Sequence, residues 1–290
     1  MTDKVRTQVL GLLALLCLLL AGCQAHAPAA DAPASVSLED LPPFSGAPYV
    51  AVNGNEPDFL PGELTTDSYE VYSPLDALGR CGTASACVGV DLMPAEERGA
   101  IGQVKPSGWQ TVKYDCVDGK YLYNRCHLIG FQLTGENANK QNLITGTRYM
   151  NVDGMLPFEN MVADYVKETE NHVLYRVTPV YDGSNLVASG VQMEARSVED
   201  GGEAICFNVY VYNNQPGVEI DYATGESWLE GEERPDPAGT AYILNTSSKK
   251  FHLPDCSGAS SMKAENREEY TGSRDDLINQ GYTPCGTCKP

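Results

Sequence analysis

Apolar and polar positions alternate, or β-branched and aromatic residues cluster, in Val173–Val180, Val187–Glu194 and Ala204–Asn213. Each stretch predicts a strand. Asp182-Gly183 and Gly201-Gly202 supply turns, and Asn213–Pro216 ends the last run. Trp109–Tyr114 and Lys120–Tyr123 read as strands flanking the turn-like Val117-Asp118-Gly119-Lys120. The period changes in Leu156–Thr169, where Phe158, Met161, Val162, Tyr165 and Val166 fall at helical spacing. That predicts a helix with one apolar face, and Pro157 suits its first turn. Leu41–Glu70 has few periodic features and reads as extended chain with short strands.

The N-terminus has a different pattern. Lys4 and Arg6 precede the apolar run Val9–Leu20, which ends in Leu20-Ala21-Gly22-Cys23. The run is about 12 residues, too short to span a bilayer comfortably, and fits the apolar region of a signal peptide. Small residues directly before a cysteine resemble the lipobox of bacterial lipoproteins, in which that cysteine is lipidated and becomes the mature N-terminus. The plainer alternative is an ordinary signal peptide with an incidental cysteine. On the lipobox reading, residues 1–22 are removed and Cys23 carries the lipid. The chain is then held at the extracytoplasmic face of a cell membrane. Residues 23–45, rich in Ala, Pro and Ser over much of their length, read as a flexible tether.

Composition narrows the class. The 290 residues are 42% hydrophobic and 20% charged, a folding composition. Gly 28 and Pro 18 point to many turns and argue against an all-helical bundle. The formal net charge of −19 excludes a protein that coats nucleic acid, which needs net positive charge. It leaves room for an enzyme that handles nucleic acid at one local site. Residues 46–230 read as one domain, 231–239 as a linker and 240–290 as a compact C-terminal module.

Of the ten cysteines, Cys17 lies in the signal segment and Cys23 is the lipidation candidate. His252, Cys256, Cys285 and Cys288 form two short ligand pairs far apart in sequence, the pattern of a tetrahedral zinc site. An oxidising compartment offers a Cys256–Cys288 disulfide as the alternative. Among the rest, Cys81 with Cys87 can close a tight loop, and Cys116 with Cys126 can bridge neighbouring strands. Cys206 reads as a buried thiol.

The segment Asn124-Arg125-Cys126-His127-Leu128-Ile129-Gly130 follows a strand pattern, and Asn151 and then Glu159 come after it. These residue types suit phosphodiester hydrolysis. A histidine can take a proton from water. An asparagine offers a neutral oxygen to a hard divalent cation, and a glutamate can hold waters of its hydration shell. Arg148 can clamp a phosphate or form a salt bridge, and Asn142 can touch substrate or brace the loop. Arg125 reads as structural, Trp109 as core and His172 as a surface residue.

From about Tyr69 to Ser227 the chain resembles the DNA/RNA non-specific endonucleases of the ββα-metal fold. The resemblance is carried by Leu75–Arg80, Asn124–Gly130, Gln141–Asn151 and Met155–Glu159. It implies an α+β fold with a central antiparallel sheet. It also implies His127 as general base, Asn151 as the metal-binding residue, and Glu159 as the helix glutamate. The cofactor it implies is Mg²⁺, with Mn²⁺ as a substitute, and the substrate it implies is DNA and also RNA; no protein partner is expected. Asn124 stands where the family has Asp, and Cys126 where it has Gly. These departures motivate an alternative reading, a non-catalytic zinc-stabilised lipoprotein that binds nucleic acid or a surface polymer. Residues Phe251–Cys256 and Gly281–Pro290 resemble the zinc-binding N-terminal module of the bacterial adaptive-response alkyl-transfer protein. His252 occupies the methyl-acceptor position of that module, so methyl transfer does not carry over.

Overall fold

The computed structural model describes residues 36–232 and 240–290. The signal segment 1–22, Cys23, the tether up to residue 35 and linker residues 233–239 lie outside the described residues. No described helix is long and apolar enough to cross a membrane.

The strands, in chain order, begin with β1 (Tyr49–Ala51), β2 (Tyr69–Tyr72), β3 (Ala84–Val88), β4 (Tyr123–His127) and β5 (Leu143–Thr147). Next come β6 (Val173–Val180), β7 (Gly190–Ser197), β8 (Cys206–Tyr212), β9 (Val218–Ile220) and β10 (Ser227–Leu229). Six of them form an antiparallel sheet in the order β1-β8-β7-β6-β3-β2. β4 pairs with β5 as a separate antiparallel ribbon, with His127 opposite Leu143. The helix Leu156–Thr169 has the predicted bounds, with Pro157 in its first turn. It buries Phe158, Val162, Ala163 and Val166 in a core with Tyr175, Val177, Val191, Met193, Val209 and Val211 of the sheet. Each large side chain so buried contributes about 1.5–3 kcal/mol relative to exposure. Met161, expected on the apolar face, is instead exposed.

The strand expectations are partly corrected. β6 has the predicted bounds, but β7 starts at Gly190, because the Val187 N–H donates to Tyr222 O and not into the ladder. Trp109–Tyr114 forms no strand. Only Lys113 bridges to Tyr121, and Tyr123 onward pairs with β5 instead. The tether reading fails from residue 36. The Val36 N–H donates to Gln192 Oε1 (2.9 Å), Tyr212 Oη donates to Pro42 O (2.6 Å), and Phe44 packs edge-on against Tyr149 and Tyr212.

No disulfide forms among the described cysteines. The chain between Cys81 and Cys87 runs into extended β3, at about 3.3 Å per residue, which carries the sulfurs apart. Cys81 Sγ instead donates to Leu143 O and Lys140 O, and Cys87 Sγ to Thr65 O. Cys116 is exposed while Cys126 is buried in the core, so that pairing fails as well. Cys206 is half-buried, with Sγ 3.7 Å from Glu56 Oε2.

The C-terminal module contains β11 (Ala241–Asn245), β12 (Lys250–His252), β13 (Arg267–Thr271) and β14 (Thr283–Pro284), in the order β13-β11-β12-β14. Tyr242, Leu244, Phe251, Leu277 and Tyr282 form a small core of its own.

Candidate active site and metal centre

Two antiparallel strands followed by a helix set the geometry. His127 ends β4. The chain returns along β5 and passes through a π-helical turn, Met150–Met155, that carries Asn151. It then enters the helix whose first turn carries Glu159. The Thr147 hydroxyl accepts from the Met150 N–H at 3.0 Å, fixing the entry to the π turn. Gly154 lies against Val211, where a Cβ would come within 2.3 Å of Cγ1. A wider turn packed this tightly is a common device at functional sites. Gly130 has a similar role: a Cβ there would meet Glu159 Oε2 at 2.7 Å, so glycine lets the chain after His127 pass directly over that carboxylate.

His127, Asn151 and Glu159 line one cavity of about 910 Å³, together with Arg98, Trp109, Asn124, Arg125 and Arg148. His127 Nε2 lies 2.8 Å from Asn137 O. A carbonyl only accepts, so this nitrogen carries the hydrogen and the lone pair sits on Nδ1. Burial pushes the imidazole down to about 4, the Arg98 charge adds to this, and the bond to Asn137 O opposes it. The ring is therefore neutral at physiological pH, as a general base must be. Burial pushes the Glu159 carboxyl up to about 7, opposed by Arg98. Among the described residues neither Glu159 nor the Asn151 side chain has a hydrogen-bond partner, and Glu159 has no ion pair. A carboxylate with no ion pair among the described residues, sharing a cavity with an unbonded amide oxygen, suits a hard divalent ion.

Other expectations are revised. Asn142 is fully buried, and its amide bridges the backbone of Ile129: it accepts from the N–H at 2.9 Å and donates to the carbonyl at 3.0 Å. It therefore braces the exit of β4 and is not placed to touch substrate. Arg148 lines the cavity but is ion-paired to Asp118 at 2.8 Å. Trp109 also lines the cavity, with the Arg125 guanidinium 3.9 Å above its ring; it is more than core. Arg125 holds the carbonyls of Val104 and Gly102, a structural duty as expected. His172 pairs with Glu199 at 2.7 Å, away from this cavity. Sequence reasoning missed Arg98, which lies in an irregular loop between Glu97 and Gly99 and carries no motif.

In the C-terminal module the ligand atoms of His252, Cys256, Cys285 and Cys288 all lie within 4.8 Å of one another. Backbone N–H groups of Cys288 and Thr287 hold the Cys285 thiol below its usual range. The Leu253 N–H points at Cys288 Sγ, 3.5 Å away. Amides aimed at sulfur favour thiolate, the form that binds metal; at Cys288 burial outweighs this and pushes the thiol up to about 11. A disulfide would use two of these four groups and leave the histidine without a reason to converge.

The antiparallel ribbon β4–β5 followed by the helix Leu156–Thr169 has the strand–strand–helix arrangement of the ββα-metal nuclease fold. Residues 63–199 match the family model described as DNA/RNA non-specific endonuclease. It is 34% identical over 110 residues to a deoxyribonuclease of Streptococcus dysgalactiae subsp. equisimilis, covering 36% of this chain and 32% of that protein. The chain thus matches about a third of that curated relative's length. Among solved structures it resembles NucA from Streptococcus agalactiae with a magnesium ion bound, at 28% identity and a TM-score of 0.55. That match covers 62% of this chain and 86% of NucA. It also resembles the Sda1 nuclease with a bound zinc ion, at 27% identity and a TM-score of 0.54, covering 64% of this chain and 97% of that one.

Proposed function

We propose that this protein is an extracytoplasmic, metal-dependent endonuclease that hydrolyses phosphodiester bonds of DNA, and of RNA, with little sequence preference. The observation that carries the reading is the convergence of His127, Asn151 and Glu159 on one cavity inside a DNA/RNA non-specific endonuclease domain. His127 Nδ1 takes the proton of the attacking water as the new P–O bond forms. Asn151 would hold Mg²⁺, or Mn²⁺ in its place, and Glu159 would hold waters of its hydration shell; that ion would neutralise charge on the phosphate and the leaving oxygen. The magnesium-bound state of NucA supports this choice of metal. His127→Ala is expected to lower plasmid cleavage in Mg²⁺ by about two orders of magnitude or more with the fold intact by circular dichroism. Intact plasmid after incubation with wild-type protein in Mg²⁺ or Mn²⁺ would rule out the enzyme reading and favour the binding-lipoprotein alternative.

His252, Cys256, Cys285 and Cys288 hold a structural zinc ion in this reading, and Cys23 carries the lipid that keeps the enzyme at the membrane. Cys23→Ala is expected to move the protein from the membrane fraction to the soluble one. Unchanged fractionation sinks the anchor.

A further inference from the structure

Three arginines line the cavity that holds His127, and two of them are already committed. Arg148 gives Nε and Nη2 to Asp118 Oδ2, at 3.2 and 2.8 Å. Arg125 lies on Trp109 and donates Nη2 to Gly102 O at 2.9 Å and Nε to Val104 O. Arg98 differs. It is exposed, has no ion pair among the described residues, and its side chain makes one hydrogen bond, Nη2 to His127 Nδ1 at 3.3 Å, while its charge also reaches Glu159.

That contact falls on the atom the reaction needs. With Nε2–H given to Asn137 O, the lone pair of the neutral ring is on Nδ1, and Arg98 donates to it. While it does so, no water can hand a proton to that nitrogen. The contact is long for a charge-assisted hydrogen bond, and it uses one of five donors in a planar fork. A phosphodiester offers two anionic oxygens at a spacing that fits the fork, a stronger partner than a neutral imidazole. Gly99 keeps the loop close: a Cβ there would meet Asn137 Nδ2 at 2.8 Å. The residue after Arg98 therefore packs on the residue that fixes the imidazole tautomer.

We propose that Arg98 is a substrate-displaced cap on the general base, masking His127 Nδ1 in the free protein and moving to the non-bridging oxygens of the scissile phosphate when nucleic acid binds. The inference rests on His127 acting as the base. Once Arg98 has moved, the water oxygen bonds to phosphorus and the water proton passes to Nδ1. The bond from phosphorus to the leaving sugar oxygen breaks, and that oxygen takes a proton from solvent. The base is thus exposed only when a phosphate is present to be cut, and the arginine that covered it becomes the clamp.

Two readouts on the full chain test this. The first is carbethoxylation of His127 by diethyl pyrocarbonate in the metal-free protein without substrate, followed by peptide mass spectrometry, with His172 and His252 as internal references. The second is steady-state cleavage of a DNA oligonucleotide in Mg²⁺. Arg98→Ala is expected to carbethoxylate at His127 several-fold faster than wild type, with the reference histidines unchanged, and to raise KM about tenfold or more through loss of the bidentate contact. Arg98→Lys keeps the charge without the fork, and is expected to fall between the two proteins in KM. Arg98→Ala matching an active wild type in both readouts overturns the cap. A wild type that cleaves nothing overturns the nuclease reading beneath it.

Discussion

His127 shows how burial tunes a single side chain for its task. In the unfolded chain its pKa is about 6.5, and in the folded site burial, aided by Arg98, brings it to about 4. Between those values the unfolded chain takes up a proton that the folded site refuses. Stability therefore falls as pH drops from about 6.5 to about 4, by about 3 kcal/mol in total from this group, and no further below. In metal-free buffer, His127→Gln should lose that increment of acid sensitivity: wild type should lose about 3 kcal/mol more than the variant between pH 7 and 4 in urea titrations. Parallel pH profiles for the two proteins would show that the imidazole is not held neutral by its surroundings. At this scale the sequence was informative where a residue carried a motif. His127, Asn151 and Glu159 share one cavity as expected, whereas Arg98 gave no signal. Its role arises from a loop folding back on a strand end, and that proximity leaves no trace in periodicity. Asn142 was flagged for the right neighbourhood with two duties open, since only burial distinguishes a brace from a substrate contact.

At the scale of elements, legibility followed length and period. The helix Leu156–Thr169 could be bounded from sequence because five apolar residues repeat at helical spacing and Pro157 marks its first turn. β6, eight residues of alternating and β-branched type, was equally plain. β3 and β5 were not, and the cause is visible in their residues. Ala84, Ser85 and Ala86 in β3 have weak strand propensity and are there because β2 and β6 press on both sides. Gly146 in β5 has no side chain because Cys126 Sγ would lie 2.4 Å from a Cβ. That contact also accounts for Cys126, the departure from the family motif: the sulfur fills, against a glycine on the paired strand, space inside the core. The π-helical turn is the element furthest from sequence reasoning. Asn151, Val152, Asp153 and Gly154 are all weak helix formers, but that pattern does not specify a wide turn, and Gly154 packs against Val211 within it.

At the scale of the molecule, the chain combines a net charge of −19 with a cavity whose three arginines supply local positive charge. A net negative charge of that size disfavours indiscriminate capture of polyanions. The C-terminal module is stabilised separately. Its small apolar core is modest for some fifty residues, and a structural metal is the usual supplement at that size. The full chain, dialysed into Mg²⁺ buffer, is expected to retain about one zinc per chain, and Cys285→Ser is expected to lose it. A chain ending at Glu232 should still cleave plasmid. A zinc-free chain with a Cys–Cys bond in its mass spectrum would refute the site. The strap at the start of the described chain has a consequence for biogenesis. Val36 and Gln192, bonded across 156 positions, and β1, paired to β8, join the beginning of the domain to its far end. Contacts this distant form late, because a long loop must close before they are rewarded. A chain threaded through a membrane pore N-terminus first would present β1 long before β8 arrived, so the sheet would close only after nearly the whole domain had crossed. On the proposed reading, an exported nuclease assembled in that order would have no finished sheet on the side of the membrane where its maker keeps its own genome.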